Sequence, residues 1–188
     1  MKASNNILNS LSPTEQLVSR CKSGDTRAFR ELYDAYSNAM YNICLRMLGN
    51  VNDAEDTLQE AFVQVFRNIG QLSQGSTLPA WIKRIVVNHC LNQLRKKKLY
   101  FQDVEGVEVE QEQGPDEQHF TWTVNVTKEA IASLPDGYRT VLNLYLFEEY
   151  TQREIAEMLQ ITESTVKTQY MRAKEKVRQF VKAKTMLQ

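Results

Sequence analysis

The chain has 188 residues, 42% of them apolar, with seven glycines and four prolines; that allows one medium or two small domains and disfavours a many-stranded sheet. Its 23 basic and 23 acidic residues cancel, and its three cysteines (Cys21, Cys44, Cys90) show no CxxC spacing. That argues against a disulfide framework and a paired-cysteine metal site, and no apolar run approaches the roughly 18 residues of a membrane span.

The zero is a sum of unlike parts. Residues 1–99 carry 13 Lys/Arg against 8 Asp/Glu, and residues 128–188 carry ten against eight. Between them, Tyr100 to Thr127 hold seven acids and no Lys or Arg. Local fields, not the total, govern encounter with a polyanion, so two basic bodies joined by an acidic tether remain compatible with nucleic acid. The opening MKASNNILNSLSP lacks the apolar core of a signal peptide, and a cytoplasmic protein with reduced, buried thiols is expected.

The first body reads as several helices. In SGDTRAFRELYDAYSNAMYNICLRML, residues Phe29, Leu32, Tyr33, Tyr36, Met40, Ile43, Cys44 and Met47 recur at three- and four-residue steps, and Gly49-Asn50 suits a left-handed cap. A second helix follows, capped by Asn52 or Asp53, with Ala54, Leu58, Ala61, Phe62, Val65 and Phe66 as its apolar stripe. The polar loop Ser73–Thr77 and Pro79 introduce a third, AWIKRIVVNHCLNQLRKKK, expected to bury Ile82, Ile85, Val86 and Leu94. His89 falls on the flank of that stripe and reads as packed, not catalytic.

Residues 100–127 lack helical periodicity and contain Gly106, Gly114 and Pro115, so they read as a linker. As a flexible coil it would span roughly 30 Å, and fully extended on the order of 95 Å.

The second body starts at NVTKEAIASLP, breaks at Pro135-Asp136-Gly137 and resumes with YRTVLNLYLFEEY. Thr151-x-x-Glu154 is a capping box for a short helix that turns Ile155, Ala156 and Leu159 inward. Gln160 and Ile161 make a tight turn, and Thr162 caps the last helix. On that helix Val166, Tyr170, Ala173, Val177 and Phe180 form the inward stripe; Ser164, Lys167, Thr168, Met171, Arg172, Glu175 and Arg178 lie opposite. An ordinary amphipathic helix with a wet face would show such a pattern. So would a helix-turn-helix reader, with Arg172 reaching guanine, Met171 a thymine methyl and Lys167 a phosphate.

The segment LPDGYRTVLNLYLFEEYTQREIAEMLQITESTVKTQYMRAK resembles region 4, the promoter −35 reader, of extracytoplasmic-function (group IV) sigma factors of the sigma-70 family. GDTRAFRELYDAY, DAEDTLQEAF and AWIKRIVVNHCLNQLRK are similar to region 2 of the same family. The matches stand in the family's order and span nearly the whole chain. The resemblance implies an all-α protein: an N-terminal tail (1–12), a region 2 helical domain (13–99), a flexible acidic linker (100–127) and a region 4 helix-turn-helix domain (128–188).

By that resemblance, Asp53, Glu55, Asp56, Gln59 and Glu60 would bind the β′ clamp helices of core RNA polymerase, an acidic face on a basic coiled coil. Asp53 and Asp56 also suit a helix N-terminus in their own right. The −10 recognition and melting region would comprise Ser76, Thr77, Trp81, Arg84, Asn88 and Arg95, with Trp81 either a stacking platform or core. Capturing flipped or stacked bases there supplies a few kcal/mol each toward strand opening without ATP. Region 4 would read promoter DNA through Ser164, Thr165, Lys167, Thr168, Met171 and Arg172. An anti-sigma factor is a further implied partner. Glu149 and Gln160 stand where the family often has glycine, Leu72 replaces a common aromatic and Asn92 a common aspartate.

No catalytic residue, metal, cofactor or small-molecule substrate is expected: the only histidines are His89 and His119, with no glycine-rich phosphate loop. The competing reading is a stand-alone helix-turn-helix regulator, which would need a dimer interface or effector pocket.

Overall fold

The computed structural model describes residues 12–72, 77–96 and 117–186. These form eight α-helices and one short 3-10 turn, with no strand among the described residues. The chain divides into two compact units, Met1–Gln93 and Leu94–Gln188.

In the first unit α1 (Pro13–Lys22) starts on Ser12, whose hydroxyl accepts from the Glu15 N–H while the Glu15 carboxylate accepts from the Ser12 N–H at 2.7 Å. Sequence reasoning overlooked this helix, although Ser12-Pro13-x-Glu15 carries its start signal. A turn through Gly24 (φ 84°) leads to Asp25, which caps α2 (Thr26–Leu48) by accepting from the Arg27 and Ala28 N–H groups. Arg20 bridges back to Asp25 at 2.9 Å and to Glu31 through both guanidinium ends, so the α1–α2 corner is locked by one residue. Gly49 (φ 68°) ends α2, as expected.

α3 (Val51–Asn68) is capped by Asn50, not by Asn52 or Asp53: the Asn50 side chain accepts from the Asp53 N–H at 3.0 Å. The αL cap at Gly49 frees the very next residue for this role, which places both expected candidates inside the first turn. Tyr33 packs edge-on against Phe62 and Phe29 tilts onto Phe66, centroids 4.8 and 5.1 Å apart, so α2 and α3 run antiparallel. After the 3-10 turn Ile69–Gln71, α4 (Leu78–Lys96) buries Ile82, Val86, Val87, Cys90 and Leu91. Ile85 is only half-buried, because the apolar arc leans toward Val87 and Leu91 instead.

The second unit opens with α5 (Glu117–Ala132), which begins inside the stretch read as linker. α6 starts at Asp136, so Asp136-Gly137 is its first turn, not part of the break. Arg139 closes this junction from inside. Its side chain is 8% exposed, donates to the Leu134 carbonyl at 2.8 Å and pairs with the Asp136 carboxylate. A cation is thus placed on the C-terminal carbonyls of α5, where the helix dipole favours it. Leu134, Tyr138, Leu142 and Ala173 form the core, with Ile131 and Val177 packed against it. Tyr145 meets Tyr170 at 4.7 Å, and α8 (Glu163–Thr185) runs antiparallel to α6 (Asp136–Leu146). Burial, with Tyr145 beside it, raises the Tyr170 hydroxyl above the ordinary tyrosine range.

Candidate polymerase and nucleic-acid interfaces

The helix-turn-helix is assembled from caps. Thr151 accepts from the Glu154 N–H and the Glu154 carboxylate accepts from both the Thr151 N–H (2.8 Å) and hydroxyl (2.7 Å), so α7 (Gln152–Leu159) starts where expected. Those bonds hold the Glu154 carboxyl below its ordinary range, the backbone one contributing most. Gln160 takes φ 57° and closes α7, its N–H and that of Ile161 returning to carbonyls of the helix. Thr162 then caps α8 by accepting from the Thr165 N–H at 3.1 Å.

Three residues therefore separate the short supporting helix from the long one. Ile155, Ala156 and Leu159 are buried with Val166 and Ala173, which fixes the face α8 presents outward. Ser164, Lys167, Thr168 and Met171 are exposed on it, together with Lys174 and Arg178. The Lys174 ammonium rests 5.6 Å from the Tyr170 ring. Sequence reasoning left Lys174 off this face, although it lies one turn beyond Met171 and two beyond Lys167. Thr165 is half-buried and shares its hydroxyl with Thr162 at 2.9 Å, so it serves the cap. The Thr168 hydroxyl bonds back to the Ser164 carbonyl.

Arg172 sits on the flank of α8. It is half-buried, with Nη1 enclosed and no hydrogen-bond partner for that atom among the described residues. Gln169, which the sequence pattern left out of the stripe, is 2% exposed. Its burial turns the inward arc toward Arg172 by a fraction of the roughly 100° per residue of an α-helix. Tyr170, Val177 and Phe180, expected inward, are half-buried.

On α3 the residues Glu55, Asp56, Gln59 and Glu60 are exposed, and Asp53 is half-buried. The packed arc of Ala54, Leu58, Ala61, Phe62 and Val65 leaves Asp56, Gln59 and Glu60 on the opposite side. Val63, one turn past Gln59, is 47% exposed in the middle of that side; an apolar residue out of register with the stripe was its only signal. Glu60 and Gln64 reach His89 of α4, Oε2 at 3.7 Å from Nδ1 and Oε1 at 2.5 Å from Nε2. These groups, with Val63, Arg67 and Asn68, line an open cleft between α3 and α4.

On α4 itself Arg84, Asn88 and Arg95 are exposed and Trp81 is half-buried. Buried Val86, Cys90 and Leu94 occupy the other side, so helical spacing brings these four onto one outward face. Two cations, an amide and an indole there can hold phosphates and stack a base. Thr77 is exposed, while Ser76 lies outside the described residues, as do Lys97 and Lys98 of the basic run.

Comparison with known proteins places the two units. The family model described as Sigma-70 region 2 matches residues 32–100, and that described as Sigma-70, region 4 matches residues 126–177. The chain is 36% identical to the ECF RNA polymerase sigma factor SigW of Bacillus subtilis (strain 168), over 86% of this chain and 92% of that protein. It is 29% identical to the RNA polymerase sigma-H factor of Pseudomonas aeruginosa, over 87% and 91%. Among solved structures, the sigma factor RpoE in complex with the anti-sigma factor NepR from Bartonella quintana superposes with a TM-score of 0.55 at 21% identity, covering 84% of this chain and 98% of that one. CnrH in complex with the cytosolic domain of CnrY gives 0.54 at 21% identity, covering 92% and 99%. These two share the all-helical fold. On the identity to SigW, with both sigma regions present and in order, the chain belongs to the ECF subfamily of sigma-70 RNA polymerase sigma factors.

Proposed function

We propose that this protein is an alternative sigma factor that binds core RNA polymerase and directs it to promoters, recognising two elements and helping to open the DNA. The observation that carries this reading is one chain holding both family regions in order, each with a solvent-exposed polar face where the family's function requires one. α3 offers Asp53, Glu55, Asp56, Gln59 and Glu60 to the basic β′ clamp helices, with Val63 as an apolar centre. α4 offers Trp81, Arg84, Asn88 and Arg95 to the −10 strand, and α8 reads the −35 element with Ser164, Lys167, Thr168 and Met171. Thr77, and Ser76 beyond the described residues, would join the −10 contacts.

The family is not one of enzymes, and no catalytic step is assigned to the chain. The described helices include none long and apolar enough to cross a membrane; we place the protein in the cytoplasm, where its polymerase would be. An anti-sigma factor is its proposed regulatory partner, since RpoE was solved bound to one. The acidic linker, cut to residues 100–116 by the start of α5, would reach at most about 60 Å fully extended, so the two domains themselves must span the rest of about two DNA turns, ~70 Å.

The test is transcription from a library of random upstream sequences with purified core polymerase. The wild type should yield start sites sharing two spaced upstream elements, and an Asp56→Ala, Gln59→Ala double variant should not. Duplex binding without polymerase-dependent transcripts would return the chain to the stand-alone regulator reading.

A further inference from the structure

Cys44 on α2 and Cys90 on α4 are 46 residues apart in sequence and meet in the core of the first unit. Neither is disulfide-bonded or solvent-exposed, and the Cys90 Sγ points at the Cys44 Sγ from 3.7 Å. We propose that Cys44 and Cys90 form an oxidisable dithiol, a modification site at which a hydroperoxide converts the pair to a disulfide that staples α2 to α4.

The geometry favours the bond over independent oxidation. A disulfide holds its sulfurs at about 2.05 Å, so from their contact at 3.7 Å the pair must close by about 1.7 Å. The contact also fixes the order of events. One thiolate attacks the peroxide O–O bond, becomes a sulfenic acid and releases an alcohol or water. The second thiolate then attacks the sulfenic sulfur, forms the S–S bond and expels hydroxide, which leaves as water. Two thiols and one hydroperoxide thus give one disulfide, one alcohol and one water, with two electrons passing from the sulfurs to the peroxide oxygens. Because the resolving thiol is already in contact, sulfenic acid is consumed before it can climb to the sulfinic state.

Burial sets the rate. Neither sulfur is exposed, so peroxide arrives only through a local opening of the helix packing, and reaction is slower than at a surface thiol. A cytosolic disulfide of this kind is a transient sensor and not a permanent brace. Its effect is mechanical: α4, which carries the outward face of Trp81, Arg84 and Asn88, becomes tied to the longest helix of its unit. Cys21 on α1, whose thiol is pushed up by burial, supplies an internal control on the same chain.

The experiment treats the full, reduced chain with hydrogen peroxide under native conditions, then alkylates it in denaturant and maps the peptides. The oxidised chain is expected to be lighter by about 2 Da before alkylation, and after it to contain a linked Cys44–Cys90 peptide pair with Cys21 alkylated. Dithiothreitol should return both alkylation sites, and the oxidised chain should melt higher by about 5 °C or more. Cys21→Ser should form the crosslink and Cys90→Ala should not. The wild-type mass map stands even if a variant fails to fold. Full alkylation of Cys44 and Cys90 after peroxide, separate sulfinic or sulfonic products, or a link to Cys21 would each overturn the proposal.

Discussion

Glu149 and Gln160, which bracket α7 at either end, both hold left-handed backbone, with φ of 61° and 57°. Relatives of this family often place glycine at such turns, and here two long side chains carry the strain. A Cβ in that region costs about 1 kcal/mol, partly offset because glycine loses more chain entropy on folding. Gln160→Gly is therefore expected to stabilise the second unit by about 0.5–1 kcal/mol, and Gln160→Val to destabilise it by about 1–2 kcal/mol. Urea denaturation of the three proteins checks the order; a more stable valine variant would remove strain from the account.

Arg139 is the charged side chain on which the start of the second unit turns. With the Leu134 carbonyl and Asp136 as partners at the end of α5, its loss strands a buried acceptor and opens a space beneath α6. Arg139→Met is expected to cost about 2–3 kcal/mol by equilibrium unfolding, and Arg139→Lys nearly as much, because an ammonium cannot serve both partners in one plane. An Arg139→Lys variant within about 0.5 kcal/mol of wild type would show that charge alone suffices.

How much of this was legible in the sequence depended on distance along the chain. Caps are local: Thr151-x-x-Glu154, Thr162 and Gly49 were readable because donor and acceptor lie within four residues. The cap of α3, expected at Asn52 or Asp53, was placed two or three positions beyond Asn50, since helix α3 starts directly after a left-handed turn that only the backbone displays. Burial of Arg139 and Gln169 was not readable at all. Each depends on what a separate helix presents, and isolated patterning assigns such residues to solvent. The same reason moved Arg172 to a flank. The acidic side of α3 was readable because the stripe opposite it is purely apolar.

Acid should weaken the start of α7. Glu154 is held below its ordinary range by bonds to Thr151, so its folded carboxylate binds protons less readily than the unfolded one. That stabilisation is present above the unfolded glutamate range and is lost as pH falls through the lower folded value. Thr151→Val should flatten the pH dependence of stability in the acid range while lowering stability at neutral pH. An unchanged acid slope in the variant, followed by denaturation across pH, would place the acid sensitivity elsewhere.

Val63 tests the proposed polymerase face without disturbing the fold. It is 47% exposed and contributes little to the core, so Val63→Asp should leave the melting temperature within about 2 °C of wild type. Beside Asp56 and Gln59, the same change puts a buried unpaired charge into a helix–helix interface. Affinity for core polymerase should fall by at least about 10-fold in a competition assay, equivalent to roughly 1.4 kcal/mol. Undiminished binding would move the interface off this side of α3.

On α8, exposure separates the residues proposed to hold DNA from those proposed to read it. Lys167 and Lys174 extend from the outward face on long stems with compact charges, suited to phosphates. Lys167→Ala and Lys174→Ala should each weaken promoter and scrambled DNA alike and lower the salt slope by about 0.9. Met171, 40% exposed at the centre of the face, can only read shape or a methyl group. Met171→Ala should change preference at one base pair, by about 1 kcal/mol, and leave the salt slope alone. Arg172 works from the flank with one guanidinium nitrogen enclosed, so reaching a guanine would require it to leave that packing. Arg172→Ala is therefore expected to reduce both DNA classes equally. Selective loss on the promoter, measured by salt-titrated binding, would instead mean that Arg172 swings out on contact and reads a base after all.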